Sequence, residues 1–348
     1  MKIVVLCGGV SAERDVSIVS GTLAAKALLS RGHDVVLMDL YFGYNQPYDM
    51  SEEIFTRELV EVGAAIGEKA PDIEEIKKMR TQNNSSRVGD NVIEICRAAD
   101  IVFLALHGED GEDGKIQALF DLEGIKYTGT GALGSAIAMN KDVSKRLLEQ
   151  AGVKTPRGAV VSRDTSESSP VGFPCFVKPC SRGSSVGASI ANSEDEYKTA
   201  LAFAFEYDDK AIVEQYIKGR ECDVGVIAGR ALPVIEICPK TGFYDYKNKY
   251  QSGMTDEFCP ANLPEKITEK LLCAAERVFE TLLFDVYGRM DFIVDEGGEI
   301  YCLEGNTLPG LTPLSLLPQE AAVTGMSYAE LCETIVRESL KKYETEKR

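Results

Sequence analysis

The chain has 348 residues, 44% of them hydrophobic, and a net charge of −17. This length exceeds one hydrophobic core, so we expect two or three packed subdomains of about 100–150 residues each. The negative charge argues against nucleic acid or an anionic membrane as a partner, because both are polyanions.

Hydropathy and cysteine spacing predict a cytoplasmic protein. The apolar run after Met1 is too short for a signal segment, and no stretch approaches the roughly 18 apolar residues of a membrane span. The ten cysteines are scattered from Cys7 to Cys332 without a CxxC pair. We therefore expect free thiols, mostly buried, rather than disulfides or a zinc site.

The start of the chain predicts a βαβ unit. Lys2–Cys7 is typical of a buried strand, Arg14–Ser30 of a helix, and 35–40 of a second strand. Such a unit predicts a parallel sheet, which a further strand at 101–106 would extend. The predicted core face of the helix carries Val16, Val19, Leu23 and Ala27.

A second region is predicted to begin near Thr130. Its predicted elements are a helix at Lys141–Gln150, strands at 175–177, 211–214 and 222–227, and a hairpin of 291–294 with 299–304. The polar segment 41–91 gives no comparable pattern.

The glycine turn at Gly8 joins the first strand to the first helix, as in nicotinamide-binding folds, where Asp39 would contact a ribose. The G-x-G-x-x-G spacing is absent, and Glu13 would repel a pyrophosphate. Glu13 either stabilises the helix dipole or binds a substrate ammonium group, and the segment alone leaves both interpretations open.

His107 directly follows a predicted buried strand. Open α/β sheets bind ligands at the carboxyl ends of parallel strands, so His107 is placed for substrate contact. A lone histidine is also often structural. With His33 as the only other histidine and no G-x-S-x-G, a histidine-centred triad is not supported.

A loop of small residues follows Lys178, in the sequence KPCSRGSSVG. Its amides and hydroxyls could surround a triphosphate, although the sequence is not a Walker A motif. A flexible surface loop is the alternative, which the position of Lys178 at the end of an apolar strand disfavours.

Arg289, Asp291, Glu304 and Asn306 lie on the two strands of the predicted hairpin. Strand periodicity places each pair on one face. If the residues flanking the turn 295–298 pair, Arg289 lies opposite Glu304. The carboxylates and carboxamide would supply hard oxygen ligands for Mg²⁺. A surface salt bridge is the alternative, but it would leave Asn306 unexplained.

The segment 244–250, rich in tyrosine and lysine, is either an exposed loop or a lid that closes over phosphates. By itself it carries no function. Its charge and length suit a lid.

Seven separated segments together resemble the D-alanine:D-alanine ligases of the ATP-grasp superfamily: GGVSAERDVS, HGEDGEDGKIQ, YTGTG, KPCSRGSSVG, FYDYKNKY, GRMDF and LEGNTLPGLT. The resemblance implies an α/β ATP-grasp fold. Its expected parts are an N-terminal parallel-sheet α/β domain (1–129), a central domain (130–217) and a C-terminal mixed-sheet domain (218–348).

The resemblance also implies an ATP site and a metal site. ATP would contact Lys141, Lys178, Ser185, Glu214, Gln215, Ile217, Glu221 and Lys249. Two Mg²⁺ ions, replaceable by Mn²⁺, would be held by Asp291, Glu304 and Asn306.

On the substrate side, the resemblance implies that Glu13 binds the ammonium of the first D-alanine and that Arg289 meets its reacting carboxylate. Val16 and His107 would line this pocket, and Ser315 with Leu316 would hold the second D-alanine. The remaining implied catalytic residues are Ser184, Tyr250 and Gly310. Cys180 and Asn140 depart from residues common in the family, which affects no phosphate, metal or substrate group.

The implied reaction is ATP-dependent formation of D-alanyl-D-alanine through a D-alanyl phosphate, for peptidoglycan precursors. The resemblance alone also suggests a homodimer. The alternatives are a D-alanine:D-serine ligase, another ATP-grasp carboxylate–amine ligase, a nicotinamide dehydrogenase and a binding module without turnover.

Overall fold

The computed structural model describes residues 1–44, 54–55, 66–67, 71–80, 85–165, 168–183, 186–240, 253–313 and 315–345. Within these ranges the strands are β1 (Lys2–Cys7), β2 (Asp34–Asp39), β3 (Ile101–Leu104), β4 (Gly158–Ser162), β5 (Cys175–Pro179), β6 (Ser189–Ala191), β7 (Lys210–Gln215), β8 (Gly219–Ile227), β9 (Arg230–Ala231), β10 (Ile235–Pro239), β11 (Thr255–Phe258), β12 (Tyr287–Asp295) and β13 (Ile300–Asn306). The helices are α1 (Arg14–Ser30), α2 (Ile73–Met79), α3 (Val92–Arg97), α4 (Lys115–Glu123), α5 (Ala132–Met139), α6 (Lys141–Gln150), α7 (Glu194–Ala204), α8 (Glu265–Thr281), α9 (Leu316–Val323) and α10 (Tyr328–Thr345).

The first sheet is parallel, in the order β2-β1-β3. The run from Ile3 to Leu6 is completely buried, as expected for a central strand covered on both faces. The predicted βαβ unit is confirmed, including both boundaries of β1 and α1. β3 ends at Leu104 rather than at residue 106. Leu104 pairs with Leu6, and two residues after Leu6 the chain turns away from β3 at Gly8, which has a positive φ.

The buried face of α1 differs from the predicted one. Val16 and Ala27 are buried, but Val19 and Leu23 are only partly so. Ser17 and Ser20 are fully buried instead, with hydroxyls bonded to the Ala105 carbonyl and to His107. Hydropathy alone assigns these serines to the surface, whereas hydrogen bonding allows their burial.

The second sheet is antiparallel, in the order β4-β7-β5-β6. α7 packs its buried Tyr197, Ala200 and Leu201 against this sheet. The strands predicted at 175–177 and 211–214 are confirmed, each extended by one or two residues. This sheet positions Lys178 and Glu214 on neighbouring strands.

The third sheet has the order β11-β10-β8-β12-β13, with β9 paired to β8. β12 and β13 form the predicted hairpin, but the predicted register is wrong. Val294 pairs with Ile300 rather than with Glu299, and a bulge after Asp291 shifts the pairing again. Asp291 therefore lies opposite Glu304, and Arg289 lies opposite Asn306.

All ten cysteines are free, and seven of them are buried, as predicted. Among the described residues no helix is long and apolar enough to span a membrane. The three sheets span 2–104, 158–215 and 219–306. The domain boundaries at 129/130 and 217/218 stay a prediction.

Candidate active site

A cavity of about 370 Å³ lies between the second and third sheets. It brings together charged side chains from β5, β7, β8, β12, β13 and α6. The predicted nucleotide and metal residues that line it are Lys141, Lys178, Glu214, Gln215, Ile217, Glu221, Asp291 and Glu304.

Glu214 is buried on β7 between two lysines. Its carboxylate lies 2.9 Å from Lys178 Nζ and 2.5 Å from Lys145 Nζ. Burial alone would raise the pKa of Glu214, but the two ammonium groups outweigh it and lower the pKa. Burial would lower the pKa of Lys178, but Glu214 and Glu304 outweigh it and raise the pKa. Lys178 is therefore a fixed positive charge in the cavity.

The Lys141 side chain contacts both the loop that follows Lys178 and strand β13 of the third sheet. It starts α6, where the Asn140 side chain accepts the Val143 amide hydrogen at 3.1 Å. Its Nζ donates to the Arg182 carbonyl at 2.6 Å and lies 3.1 Å from Glu304 Oε2. A second cation thus lies beside the carboxylates of the hairpin.

The loop after Lys178 extends towards the residues that follow the first sheet's strands. A Cβ atom added to Gly183 would lie 3.2 Å from Glu13 Oε2, so the loop and Glu13 are adjacent. Arg182 forms an ion pair with Glu109, which follows β3. Ser184 and Ser185 lie outside the described residues, as do Lys249 and Tyr250 of the predicted lid.

Arg289 occupies the third sheet beside two aspartates. Its guanidinium donates two 2.8 Å hydrogen bonds to Asp291, and its Nε lies 3.0 Å from Asp223 Oδ2. Burial and the neighbouring Asp291 charge raise the pKa of Asp223 well above its usual value, and Arg289 opposes them.

The predicted metal ligands supply oxygen atoms but not a complete cage. Asp291 and Glu304 face each other across two strands, and Asn306 Oδ1 accepts the Leu308 amide hydrogen at 2.9 Å. In the described ranges no three His, Cys, Asp or Glu side chains form a metal-binding group. This donor set fits Mg²⁺, which usually takes one or two carboxylates and completes its coordination with phosphates and water.

Glu13 and His107 meet at the edge of the first sheet. Glu13 is the N-cap residue of α1, yet its side chain makes no capping hydrogen bond. His107 Nδ1 lies 2.9 Å from the Leu308 carbonyl, which places the proton on Nδ1, and Nε2 lies 3.2 Å from Ser20 Oγ. Burial would lower the pKa of His107, but Glu112 and Glu13 outweigh it and raise the pKa.

Ser315 and Leu316 begin α9. Ser315 Oγ accepts the Thr312 amide hydrogen at 3.1 Å. A Cβ atom on Gly310 would lie 2.8 Å from Ser315 Oγ, so the loop folds tightly onto the helix start. Leu316 is buried with Ile235 and Ile237 in an apolar cluster. The amides of a helix N-terminus favour an anion such as a carboxylate.

Asp39 is not placed for a ribose. Its buried carboxylate forms a 2.5 Å ion pair with Arg14 and accepts the amide hydrogens of Tyr41 and Phe42. This arrangement removes the residue on which the dehydrogenase alternative depended.

Sequence reasoning missed Lys145, Asp223, Glu112 and Glu320. Lys145 lies one helical turn after Lys141, and Asp223 lies two residues after Glu221 on a buried strand. These spacings were the available signal, since i, i+4 and i, i+2 positions share a face in helices and strands.

Comparison with known proteins gives one consistent result. A family model of the D-ala D-ala ligase N-terminus matches residues 2–130, and one of the D-ala D-ala ligase C-terminus matches residues 147–337. The chain is 42% identical to a D-alanine–D-alanine ligase of Pediococcus pentosaceus, over 99% of both chains. It is 43% identical to one of Lacticaseibacillus casei, over 99% of this chain and 97% of the relative.

Solved structures agree with this result. A D-alanine–D-alanine ligase from Bacillus anthracis complexed with ATP superposes with a TM-score of 0.77 and 30% identity, covering 99% of both chains. The VanG D-Ala:D-Ser ligase from Enterococcus faecalis superposes with a TM-score of 0.75 and 26% identity, covering 97% of this chain and 99% of that one.

Proposed function

This chain belongs to the D-alanine–D-alanine ligase family, and we propose that it joins two D-alanine molecules at the expense of ATP. The observation that carries the proposal is the cavity in which Lys141 and Lys178 face Asp291 and Glu304. Two fixed cations beside two carboxylates suit a nucleotide triphosphate with its metal. The dipeptide would serve peptidoglycan precursor synthesis.

The nucleotide would lie between the second and third sheets. Lys141 and Lys178 would bind its phosphates, with Lys178 kept charged and in place by Glu214. The Gln215 and Ile217 backbone, next to Glu214, would contact adenine, and Glu221 the ribose. Ser185 and Lys249 are the remaining residues that we propose to contact the nucleotide.

We assign two Mg²⁺ ions, or Mn²⁺, to Asp291, Glu304 and Asn306. The metal would neutralise charge that develops on the transferred phosphoryl group.

The first D-alanine would lie between the phosphates and the first sheet. Glu13 would bind its ammonium group, and Val16 and His107 would shape the pocket. A carboxylate oxygen then attacks the γ-phosphorus, the bond to ADP breaks, and D-alanyl phosphate forms. Arg289 is placed beside the metal residues to stabilise the charge on the reacting carboxylate.

The second D-alanine would place its carboxylate at Ser315 and the N-terminus of α9, beside Leu316. Its neutral amine attacks the acyl carbon, and the carbon–oxygen bond to phosphate breaks. Arg289 and a backbone N–H near Gly310 would stabilise the tetrahedral oxyanion. Ser184 and Tyr250 would link the phosphate loop and lid to Glu13, and closure would keep water from the acyl phosphate.

An ATP-coupled assay of phosphate release tests the proposal against the alternatives. The panel consists of D-alanine, L-alanine, D-serine and D-lactate, each alone and in pairs with D-alanine. We expect D-alanine alone to support release. Release with any other single amino acid but not with D-alanine would assign a different carboxylate–amine ligase. The proposed cytoplasmic location and homodimer are tested separately, by fractionation and light scattering.

A further inference from the structure

Asp223 is a buried carboxylate for which the reaction above has no use. It lies on β8 directly opposite Asp291 on β12, and only 1% of it is exposed. Arg289 Nε is 3.0 Å from Asp223 Oδ2 but donates to Asp291. Within the described part of the chain, neither Asp223 oxygen accepts a hydrogen bond. Asp223 thus contacts the guanidinium, but both of its carboxylate oxygens can still accept hydrogen bonds.

The surroundings of Arg289 restrict where the guanidinium can go. Gly225 lies opposite Arg289 on β8, and its amide hydrogen bonds to both carboxylate oxygens of Glu320 at 2.9 and 3.0 Å. A Cβ atom on Gly225 would lie only 2.4 Å from Glu320 Oε2. Glu320 therefore occupies the space beside Gly225, and the Arg289 guanidinium cannot move into it. The guanidinium is in direct contact with the carboxylates of Asp291 and Asp223.

Asp291 faces two competing demands. Both of its oxygens accept hydrogen bonds from the Arg289 guanidinium, whereas the proposed function assigns the same carboxylate to Mg²⁺. A dication bound there would repel the guanidinium. Arg289 nevertheless has to stay beside the reacting carboxylate, and a buried guanidinium is stable only close to negative charge.

We propose that Asp223 is a positioning residue that holds Arg289 when Asp291 binds the metal. A small rotation moves the Nε–H bond from Asp291 to an oxygen that is already 3.0 Å away. Asp291 Oδ1 is then released for the metal, and the guanidinium stays in the site. This inference rests on the proposed metal role of Asp291.

The first experiment measures metal binding without turnover. Mn²⁺ binding to the protein with ADP is followed by electron paramagnetic resonance for wild type, Asp223→Asn and the control Asp256→Asn. Asp256 is an acid of the same sheet, on β11 beside Lys240. We expect Asp223→Asn to weaken Mn²⁺ binding by about 10–100-fold, the range for outer-shell partners of metal ligands. Equal affinity in all three proteins overturns the inference.

Wild-type behaviour separates this inference from the proposed function. If wild type with ADP does not bind Mn²⁺, the metal assignment itself fails. If wild type and Asp223→Asn bind it equally, the metal assignment stands and only the role of Asp223 fails. A merely structural role would lower thermal stability without changing the affinity for Mn²⁺.

A second measurement needs no Asp223 variant. The Arg289 Nε–H signal of ¹⁵N-arginine-labelled wild type is assigned by its loss in Arg289→Lys. We expect its hydrogen exchange to stay slow after Mg²⁺ and ADP are added, because the bond passes to Asp223. Fast exchange in that complex would overturn the inference even if Asp223→Asn failed to fold.

Discussion

Asp291 and Glu304 lie directly opposite each other on the two strands of the β12–β13 hairpin. Directly opposite residues of an antiparallel pair project from the same face with Cβ atoms about 5 Å apart. Both carboxylates line the cavity, and Lys141 Nζ lies 3.1 Å from Glu304. Strand pairing thereby fixes the two acids, and the start of α6 places Lys141 beside them.

The first prediction concerns these two carboxylates. Asp291→Asn or Glu304→Gln should lower turnover on the order of 100-fold, the size of effect seen when one electrostatic transition-state contact is lost. The fold should persist, because each change keeps the shape of the side chain. Steady-state kinetics at saturating Mg²⁺ measure this. Glu299→Gln, on the exposed turn of the same hairpin, is the matched control, and unchanged turnover in the first two variants would refute the metal assignment.

The second prediction distinguishes the two interpretations of Glu13. Glu13→Gln should raise the KM for the first D-alanine, by about 2–5 kcal/mol in binding free energy if the ion pair is fully desolvated. Asp15→Asn, in the first turn of the same helix, tests the dipole effect alone and should leave the KM near wild type. Equal effects of the two variants would return Glu13 to a purely structural role.

The third prediction concerns the buried pair of lysines. Glu214→Gln leaves Lys178 and Lys145 as two buried ammonium groups without their common partner. Breaking a buried ion pair in this way costs about 3–5 kcal/mol, so the free energy of unfolding should fall by this order. Urea denaturation measures the change, with the exposed Glu206→Gln as control. A loss no larger than that of the control would show that the ion pairs contribute little.

The fourth prediction is a pH dependence of stability at Glu320. Burial raises the pKa of Glu320 to about 8, from 4.5. The folded protein therefore binds a proton that the unfolded chain releases above pH 4.5, so this contribution to stability is complete below that pH and is lost as the pH rises towards 8.

Glu320→Gln cannot lose a proton, so its melting temperature relative to wild type should increase from pH 5 to pH 9. Differential scanning calorimetry across this range measures the difference. A difference that is constant with pH would mean that Glu320 is ionised in the folded protein throughout.

The fifth prediction concerns the second substrate. Leu316 is buried in an apolar cluster, and the second-substrate site proposed beside it would fit the D-alanine methyl group. An apolar site rejects an added hydroxyl by roughly 100-fold at most, so some D-serine product should form. D-lactate should react less, because its hydroxyl is a poorer nucleophile than an amine. Equal yields of dipeptide and depsipeptide from equimolar acceptors at neutral pH would contradict this.

The sequence predicted the elements that depend on local pattern and failed where tertiary contacts decide. An apolar run identified β1, the glycine turn and apolar spacing identified α1, and glycine and proline after its last residue identified the end of α6, all with their observed boundaries. The register of β12 with β13 was wrong because the bulge after Asp291 leaves no signal in the hydrophobic pattern.

In the candidate site, too, local sequence pattern predicted some residues, whereas tertiary contacts determine the others. The motifs gave Lys178, Asp291 and Glu304, the family resemblance added Lys141, and the fold brings all four to one cavity. The spacing of Asp223 from Glu221 places both on one face of β8, but nothing local distinguishes a buried acid from an exposed one. Arg289 approaches Asp223, and Gly225 approaches Glu320, from distant parts of the chain.

The most direct test of the central claim follows one oxygen atom. The protein is incubated with ATP, Mg²⁺ and D-alanine labelled with ¹⁸O in its carboxylate, and the phosphate and dipeptide are analysed by mass spectrometry. Ligation through D-alanyl phosphate predicts one ¹⁸O atom in inorganic phosphate for each D-alanyl-D-alanine formed. Phosphate without ¹⁸O, or phosphate released without dipeptide, would contradict the account.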